Sequence, residues 1–502
     1  MNHDILIESL CVVIVLLALY LYLSSNFTYW LIRHVQTPPA LPFFGTFKDV
    51  SLGKVLMSDY LKKLYKRYSK DGMVGLYSGS TPILLITDPD FMKDVLIKDF
   101  TVFADRGITN NEEVDAFGSS LFSLKPDKWR VLRSKMSPVF TSGKLNDMFY
   151  IVKECGEQFQ EYLDKLLEKE SVIDCRQIAM KFTSDVIGTC AFGLDLKVLD
   201  NENCEFLQKC KQIFHPPFKA ILGEILKSYA PWLYNKIGKY FVDTEVRDYF
   251  MKLIMGTLKY RKEHGITRHD FVDVLQDIKD HPEKVPELEL TDKFITAQAM
   301  ILFVAGFHSS SLTIAHALYE LAREPEVQDR VRQEMKRELE KNSGVIDYQL
   351  VKSNLVYLDA VIKETLRKYP PVIFLTRQAT RAYRFTGTNV VIQKGQTVWI
   401  PVYAFHHDPN IYPRPEVFDP DRFMRKEYEP NNQVAYLPFG DGPRNCIGTQ
   451  FAQNEMKVGL LKILLKYRVD VCEKTNLVHT CAIRNSLLMP VRGIYVRMTK
   501  VG

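Results

Sequence analysis

The sequence predicts a mainly helical protein with small β-sheets (α+β), carried behind an N-terminal transmembrane helix. Three observations support this fold class. Residues 10–23 form an unbroken apolar run, many later segments repeat apolar residues at helical spacing, and residues 380–400 alternate β-branched residues around two glycines. Helical segments far outnumber the strand-like one, so helices should build most of the core.

The apolar N-terminal run is long enough to cross a membrane. About 20 residues span a bilayer, which one tilted helix over residues 5–23 would do. Asp4 and Glu8 precede the run, whereas Arg33 and Lys48 follow it, so the body should lie on the cytosolic side. A cleaved secretory signal is the alternative, but its basic start and small-residue cleavage site are both missing.

The chain divides into three parts. Residues 1–25 are interpreted as the membrane anchor, and residues 26–45 as a linker stiffened by Pro38 and Pro39. Residues 46–502 contain no further linker or repeat and read as one catalytic unit. The segment 214–234 is rich in apolar residues, which suits either a second membrane contact or ordinary packing.

Apolar residues recur at helical spacing in many segments of residues 46–502. The longest predicted helix starts at Thr291, a suitable N-cap, and ends near Arg323, just before Pro325. Its middle is almost wholly apolar but too short to span a bilayer, so a helix through the core is the better interpretation. The predicted body helices cover residues 56–68, 128–136, 147–169, 177–190, 240–263, 291–323, 353–368 and 451–465.

Composition excludes several classes of function. The net charge is only +6, from 66 basic and 60 acidic residues, which argues against a nucleic-acid-binding protein. The nine cysteines show no C-x-x-C spacing, which argues against zinc ribbons and thioredoxin-like sites. Most of them are expected to be buried thiols in a reducing compartment.

Cys446 is the exception, because it stands in a loop suited to hold a metal-binding thiolate. Residues 439–448 read F-G-D-G-P-R-N-C-I-G. Gly442 and Gly448 permit tight turns that can aim N–H groups at the sulfur, and Phe439 can cover it. The helix that follows would direct its N-terminus at the thiolate and favour the anionic form.

This loop resembles the haem-binding loop of the cytochrome P450 family and matches every fixed position of F-x-x-G-x-R-x-C-x-G. The resemblance implies a cytochrome P450 fold, with haem b between the long central helix and the cysteine loop. It implies that the thiolate of Cys446 ligates the iron. It further implies haem-propionate partners at Trp129, Arg133, Arg377 and Arg444.

Three more residues match a structural lock of the same family. Glu364 and Arg367 stand at positions i and i+3 of a predicted helix, where side chains meet. Arg422 matches the third, pairing arginine. The resemblance implies that this trio is buried and supports the cysteine loop without taking part in the chemistry.

Several segments are especially similar to insect microsomal members that oxidise foreign and plant-derived compounds, namely residues 182–188, 364–371 and 405–409. The resemblance implies a monooxygenase of the endoplasmic reticulum membrane. Because no nucleotide-binding fingerprint is present, electrons must come from another protein. The resemblance implies that this protein is the membrane-bound NADPH-dependent reductase, with cytochrome b5 as a further donor.

The central helix departs from the family pattern where protons are delivered. Gly306 is in place, but His308 occupies the position of the usual acid and Ser309 that of the usual threonine. A serine hydroxyl can still donate a proton, and histidine titrates near neutral pH. A working monooxygenase is therefore the main interpretation. The alternatives are an isomerase or dehydratase acting on an already oxygenated substrate, and non-catalytic ligand sequestration.

The resemblance also implies which residues contact substrate. All of these positions are apolar, which suits a lipophilic small molecule, although core packing would explain each of them equally well. They are Phe117, Phe122, Phe303, Val304, Ala305, Ile373, Phe374, Leu487 and Leu488.

Overall fold

The computed structural model describes residues 3–501 apart from residues 109–117, 195, 197, 200–203, 215–216, 243, 269, 426–435, 477–486 and 491. Helices dominate these residues, which confirms the predicted fold class. The helices are α1 (His3–Ser24), α2 (Tyr29–Ile32), α3 (Lys48–Ser51), α4 (Met57–Tyr68), α5 (Pro89–Lys93), α6 (Pro126–Met136), α7 (Ser142–Asp147), α8 (Phe149–Leu167), α9 (Cys175–Phe192), α10 (Glu205–Phe214), α11 (Phe218–Tyr229), α12 (Pro231–Ile237), α13 (Thr244–His264), α14 (Phe271–Asp280), α15 (Asp292–Arg323), α16 (Pro325–Lys341), α17 (Val356–Lys368), α18 (Val402–His406) and α19 (Thr449–Leu464).

In the described part of the chain, nine strands form three small sheets. They are β1 (Met73–Ser78), β2 (Thr81–Ile86), β3 (Val172–Asp174), β4 (Leu375–Gln378), β5 (Tyr383–Arg384), β6 (Val391–Ile392), β7 (Thr397–Ile400), β8 (Tyr467–Asp470) and β9 (Tyr495–Lys500). The largest sheet has the order β1-β2-β7-β4, and only its β2–β7 pair is parallel. The second sheet has the order β3-β9-β8, and the third pairs β5 with β6.

Helix α15 runs through the core of the body. Thr291 caps it, with its hydroxyl accepting a hydrogen bond from the N–H of Phe294 at 3.1 Å. Its composition would also suit a membrane span, but two thirds of that stretch is buried by other elements. Because it packs along α9, α13, α17 and α19, its side chains link the two largest apolar clusters of the body.

The N-terminal helix α1 is apolar and exposed, as expected of a membrane anchor. The chain after it is fastened to the body by Trp30, which is completely buried. The indole Nε1 donates to the carbonyl of Leu76 at 3.0 Å, and a Cβ atom on Gly75 would lie 2.2 Å from the ring. The segment predicted as a linker is therefore packed against the body at Trp30.

Several predicted elements differ in their boundaries. The helix predicted over residues 147–169 is interrupted by a turn at Met148, so α7 and α8 are separate. The segment 214–234 contains two helices, because Ala230 (φ −141°, ψ 65°) precedes Pro231 and leaves the helical conformation. Helices α14 and α16 and the β1–β2 hairpin were not anticipated.

His407, a buried histidine directly after α18, should make the fold sensitive to mild acid. Burial, followed by the charge of Arg367, lowers the pKa of His407 to about 3. An unfolded histidine titrates near about 6.5, so protons bind the unfolded chain more readily. Above pH ~6.5, His407 should not lower the free energy of unfolding. Below pH ~6.5, this residue should lower that free energy by about 1.4 kcal/mol for each pH unit.

This prediction is checked by urea unfolding of the wild type and His407→Asn between pH 7 and pH ~5. The variant should lose less stability over this interval, because one titrating group is removed. Parallel pH profiles for the two proteins would contradict the prediction.

Candidate haem-thiolate site

The cysteine loop is held in shape by left-handed turns and by backbone hydrogen bonds. Gly440 and Gly442 have φ values of 71° and 70°, which favour glycine. The N–H of Cys446 donates to the carbonyl of Phe439 at 2.8 Å. Gly448 has an ordinary φ of −94° and caps α19, so the left-handed turns lie at 440 and 442 rather than at 448.

Cys446 as a residue is exposed, but protein closely surrounds its thiol. This burial raises the pKa of the thiol. The backbone N–H of Gly448 and the hydroxyl of Thr449 oppose that shift by hydrogen bonding, and the charges of Arg133 and Arg106 add to their effect. The start of α19 and two cations thus offset part of the effect of burial, but the pKa of the thiol stays above its ordinary value, so these residues alone do not favour the predicted thiolate.

Four arginines converge near this cysteine. Arg106 donates to the carbonyl of Arg444 at 3.0 Å, and Arg133 donates to the carbonyl of Asn445 at 3.0 Å. Arg377 on β4 completes the group, and its charge acts on both Arg106 and Arg444. Among the described residues, none of the four guanidinium groups is paired with a carboxylate.

The two most deeply buried members of this group, Arg377 and Arg444, are only 2% exposed. Arg444 donates to the carbonyl of Leu124 at 2.8 Å and stacks on Trp129, with its Cζ 4.3 Å from the ring centroid. The Nε atoms of Arg377 and Arg444 have no acceptor among the described residues. Burial lowers the pKa of Arg377 to about 10, and burial with the charge of Arg377 lowers that of Arg444 to about 9.

These features fit a haem. Buried cations without counterions are costly, and a bound dianion would neutralise them. The two propionates of haem b carry that charge, and guanidinium groups bind carboxylates in a planar, bidentate way. A thiolate beside the same cations completes the donor set expected for an axial ligand.

The predicted lock is assembled at the end of α17. Both Glu364 and Arg367 are 0% exposed, and the carboxylate binds the guanidinium through two hydrogen bonds of 2.7 and 2.8 Å. Arg422 approaches the same carboxylate at 3.5 Å, and the N–H of Asp419 donates to it at 3.0 Å. The buried carboxylate of Glu364 thus binds both arginines and the backbone N–H of Asp419, in the chain that leads towards the cysteine loop.

In α15, hydroxyl groups compete for the helical carbonyls near the predicted catalytic residues. Ser309 donates to the carbonyl of Ala305 at 2.7 Å, and Thr313 donates to that of Ser309 at 2.9 Å. Thr183 of α9 donates to the carbonyl of Phe307 at 2.9 Å. Such bonds weaken the regular helical ladder and favour local bending.

The structure separates the three predicted catalytic residues. Ser309 lies beside exposed Ala305 on the accessible face of α15, whereas His308 is buried. Gly306 faces α9, because a Cβ atom there would lie 2.5 Å from Cδ1 of Ile187. The serine and the histidine are therefore adjacent in sequence but differ in accessibility.

The predicted substrate contacts lie in two separate regions of the fold, and the first contains residues 371–374 and 487–488. Leu488 donates its N–H to the carbonyl of Pro371 at 3.0 Å, so residues 487–488 lie against residues 371–374. Phe374 stacks on Trp399 with a centroid distance of 4.2 Å.

The remaining predicted contacts lie near α15 and Arg106. Phe122 is exposed beneath the guanidinium of Arg106, and Val304 is half-buried. Phe303 is buried against Phe206, with the two ring centroids 4.4 Å apart. Phe117 lies outside the described residues.

Sequence reasoning did not assign Arg106 to this site. The charges of Arg377, Arg444 and Cys446 all act on this guanidinium, and burial holds its pKa well below the ordinary value. Its immediate sequence neighbours include nothing that distinguishes it from other surface arginines. Only the tertiary fold reveals that it lies beside the cysteine loop.

Comparisons with known proteins agree with this geometry. The family model described as "Cytochrome P450" matches residues 35–498. Cytochrome P450 6j1 of Blattella germanica is 35% identical over 485 residues, which cover 96% of each chain. Cytochrome P450 6A1 of Musca domestica is 37% identical over 468 residues (92% of this chain, 91% of the relative), and cytochrome P450 6B1 of Papilio polyxenes is 35% identical over 492 residues (96% and 97%).

Gly442 should be irreplaceable in the cysteine loop. A Cβ atom there would lie 1.9 Å from the carbonyl oxygen of Leu96, which is rigid backbone, and the positive φ adds about 1–2 kcal/mol. Gly442→Ala should therefore lose most of its bound haem, measured by absorbance per mole of folded protein.

Gly440→Ala is the matched control for this experiment. It has the same positive φ, but its Cβ atom would meet nothing closer than 3.8 Å. It should retain most of its haem, and equal losses in the two variants would exclude the clash as the cause.

Glu364→Gln should destabilise the body by about 3–5 kcal/mol, because two buried guanidinium groups lose their shared counterion. Glu416→Gln is the control. Its carboxylate also pairs with a cation, Lys62, but is 69% exposed, so the loss should stay below about 1 kcal/mol. Urea unfolding measures both, and a small effect of Glu364→Gln would contradict the structural importance of this carboxylate.

Proposed function

The chain belongs to the cytochrome P450 family of haem monooxygenases, and on this premise we propose its substrates, electron source and location. It inserts one oxygen atom from O2 into lipophilic small molecules, such as xenobiotics, plant toxins, insecticides or endogenous lipophiles. NADPH supplies the electrons through a reductase, with cytochrome b5 as a further candidate donor. The observation that carries this proposal is the thiol of Cys446, placed among four arginines that find no carboxylate partner within the described part of the chain.

The residues around Cys446 would hold haem b in a defined orientation. Cys446 would ligate the iron, and Arg133, Arg377 and Arg444 would bind the propionates, with Arg106 added to the predicted set. When bound, haem would supply oxygen activation, and a thiolate ligand at Cys446 would favour that chemistry. Trp129 supports this role by holding the guanidinium of Arg444 in place.

The accessible face of α15 would deliver protons. Ser309 is the terminal donor, because its hydroxyl lies on the same face as exposed Ala305. Its present hydrogen bond to the carbonyl of Ala305 keeps the hydroxyl in place while leaving its lone pairs free to accept a proton. His308 is buried and lies away from Ser309, so protons would reach Ser309 from the accessible face of α15 rather than from His308.

Lipophilic substrates suit the apolar segments that converge at the end of α17. Ile373 and Leu488 are buried together, and Phe374 and Leu487 are partly accessible beside them. Their mutual backbone bonds hold this wall in one shape. An apolar wall with few polar groups favours ligands by burial of area rather than by specific hydrogen bonds.

We assign the protein to the endoplasmic reticulum membrane, with its body on the cytosolic side. Helix α1 provides the span, and Leu31 and Ile32 of the next helix, α2, are each 69% exposed. Phe218 and Ile225 of α11 are also exposed, and Tyr229 at its end stacks on Phe43 with a centroid distance of 4.9 Å. This contact brings the apolar face of α11 close to the segment that leaves the membrane, where both can meet lipid.

Cys446→Ser should abolish the haem-thiolate spectrum. The hydroxyl of serine is a poor ligand compared with a thiolate, so the reduced carbon-monoxide difference band of the wild type should disappear. Cys472→Ser is the control, since this cysteine is hydrogen-bonded to Thr475 and lies outside the loop. An unchanged band in Cys446→Ser would overturn the proposed function.

Ser309→Ala should lower the product formed per NADPH by about tenfold or more, because a positioned proton donor is lost. Ser311→Ala is the matched control. The hydroxyl of Ser311 also bonds to a helical carbonyl, that of His308 at 2.9 Å, but it is buried. Turnover with isotopically labelled O2 measures both variants. A wild-type product without labelled oxygen would instead favour an isomerase or dehydratase, an alternative prompted by the histidine at position 308.

A further inference from the structure

The buried side chain of His406 joins two parts of the chain that are far apart in sequence. Its Nδ1 atom lies 3.2 Å from the carbonyl oxygen of Arg367 on α17. On the other side of the ring, its Nε2 atom lies 2.9 Å from the backbone nitrogen of Leu437, which leads into the cysteine loop. The ring is 0% exposed, so neither bond can be replaced readily by water.

The two partners determine the tautomer of this histidine. The backbone N–H of Leu437 can only donate, so Nε2 must carry the lone pair, and the proton resides on Nδ1 and points at the carbonyl of Arg367. The ring must therefore be neutral. Burial, together with the charges of His407 and Arg367, holds the pKa of His406 well below its ordinary value and maintains this state.

Arg367 is linked to His406 twice. Besides accepting from the imidazole, it donates from its guanidinium to the carbonyl of His406 at 2.9 Å. The same guanidinium is paired with Glu364, which holds it in one orientation. The backbone and side chain of His406 are thus both positioned by the residue at the centre of the buried lock.

From Leu437 the hydrogen bonds continue to the cysteine. The carbonyl of Leu437 accepts from the N–H of Gly440 at 3.0 Å, and the carbonyl of Phe439 accepts from the N–H of Cys446 at 2.8 Å. Pro438 lies between them and has no N–H to offer. The N–H of Leu437 is therefore a donor at the entrance of the loop through which the lock can act on the position of Cys446.

We propose that His406 is a positioning residue for the cysteine ligand, which transmits the orientation of Arg367 to the loop through the N–H of Leu437. The inference rests on the proposed function, since it assumes that Cys446 binds haem iron. It identifies the hydrogen bonds of His406 as the contacts through which the Glu364–Arg367 pair supports the cysteine loop. Its consequence is that loss of one hydrogen bond at Leu437 loosens thiolate ligation before the fold itself fails.

A purely space-filling role is the competing explanation. The ring of His406 stacks against Tyr436 with a centroid distance of 5.6 Å and also faces Tyr412. If packing were its contribution, substitutions of similar size would differ little from one another. The two hydrogen bonds must therefore be tested separately from the volume of the side chain.

Replacing His406 by asparagine or by glutamine separates the two hydrogen bonds from the volume of the side chain. In His406→Asn, the short amide can take the place of Nδ1 and donate to Arg367, but it cannot reach Leu437. In His406→Gln, the longer amide oxygen can take the place of Nε2 and accept from Leu437. His407→Asn is the matched control, because this neighbouring buried histidine bonds to the carbonyl of Tyr403 at 2.8 Å and stacks on Tyr403.

The measurement is the rate at which purified, full-length, haem-loaded protein loses its thiolate-type carbon-monoxide band in a fixed concentration of urea. Helix content, followed by circular dichroism in the same solution, reports global unfolding. His406→Asn should lose the band about tenfold faster than the wild type relative to its loss of helix, because a buried N–H is left without an acceptor. His406→Gln and His407→Asn should stay within about threefold of the wild-type ratio.

Equal ratios for His406→Asn, His406→Gln and His407→Asn would overturn the inference in favour of packing. If His406→Asn fails to fold, amide hydrogen exchange of the wild type decides. The N–H of Leu437 should exchange only with global unfolding, and fast exchange would refute its bond to His406. A wild type with no thiolate band would instead refute the proposed function, so the two failures are distinguishable.

Discussion

The structure around the cysteine depends on one buried carboxylate. Glu364 is completely inaccessible and pairs with Arg367 by two hydrogen bonds while Arg422 approaches the same group. In a medium of low dielectric, an unpaired charge at any of these positions would cost several kcal/mol. The chain segments that carry the two arginines are therefore obliged to stay together, and α17 and residues 419–422 are held as one unit.

The cysteine loop shows the opposite electrostatic arrangement. Arg106, Arg133, Arg377 and Arg444 lie close together, and the described residues provide them with carbonyl oxygens instead of carboxylates. The resulting positive potential favours an anionic sulfur and an anionic ligand at the same place. The protein thus supplies a buried carboxylate at the lock, where rigidity is needed, whereas the described residues supply none to the four arginines where a dianionic cofactor fits.

Helix α15 combines a rigid face with an adaptable one. Its buried face packs closely on α9, where Gly306 meets Ile187. Its accessible face presents Ser309, whose hydroxyl bonds within the helix and competes with the backbone ladder. Because helices α9 and α15 cannot separate without opening the core, local adjustment is confined to the accessible side, where oxygen chemistry is proposed.

The sequence by itself determined the anchor, most of the long helices, and the residues of the cysteine loop and the lock. These features depend on local patterns: apolar periodicity, caps such as Thr291, and short motifs whose residue types are dictated by their chemistry. Only the tertiary structure decided that Arg106 joins the site, that His308 is buried away from Ser309, and that His406 links Arg367 to Leu437. Each of these facts concerns residues brought together across the fold, or the side of a helix that faces the core. Local sequence cannot specify either, because burial and pairing depend on which distant elements pack there.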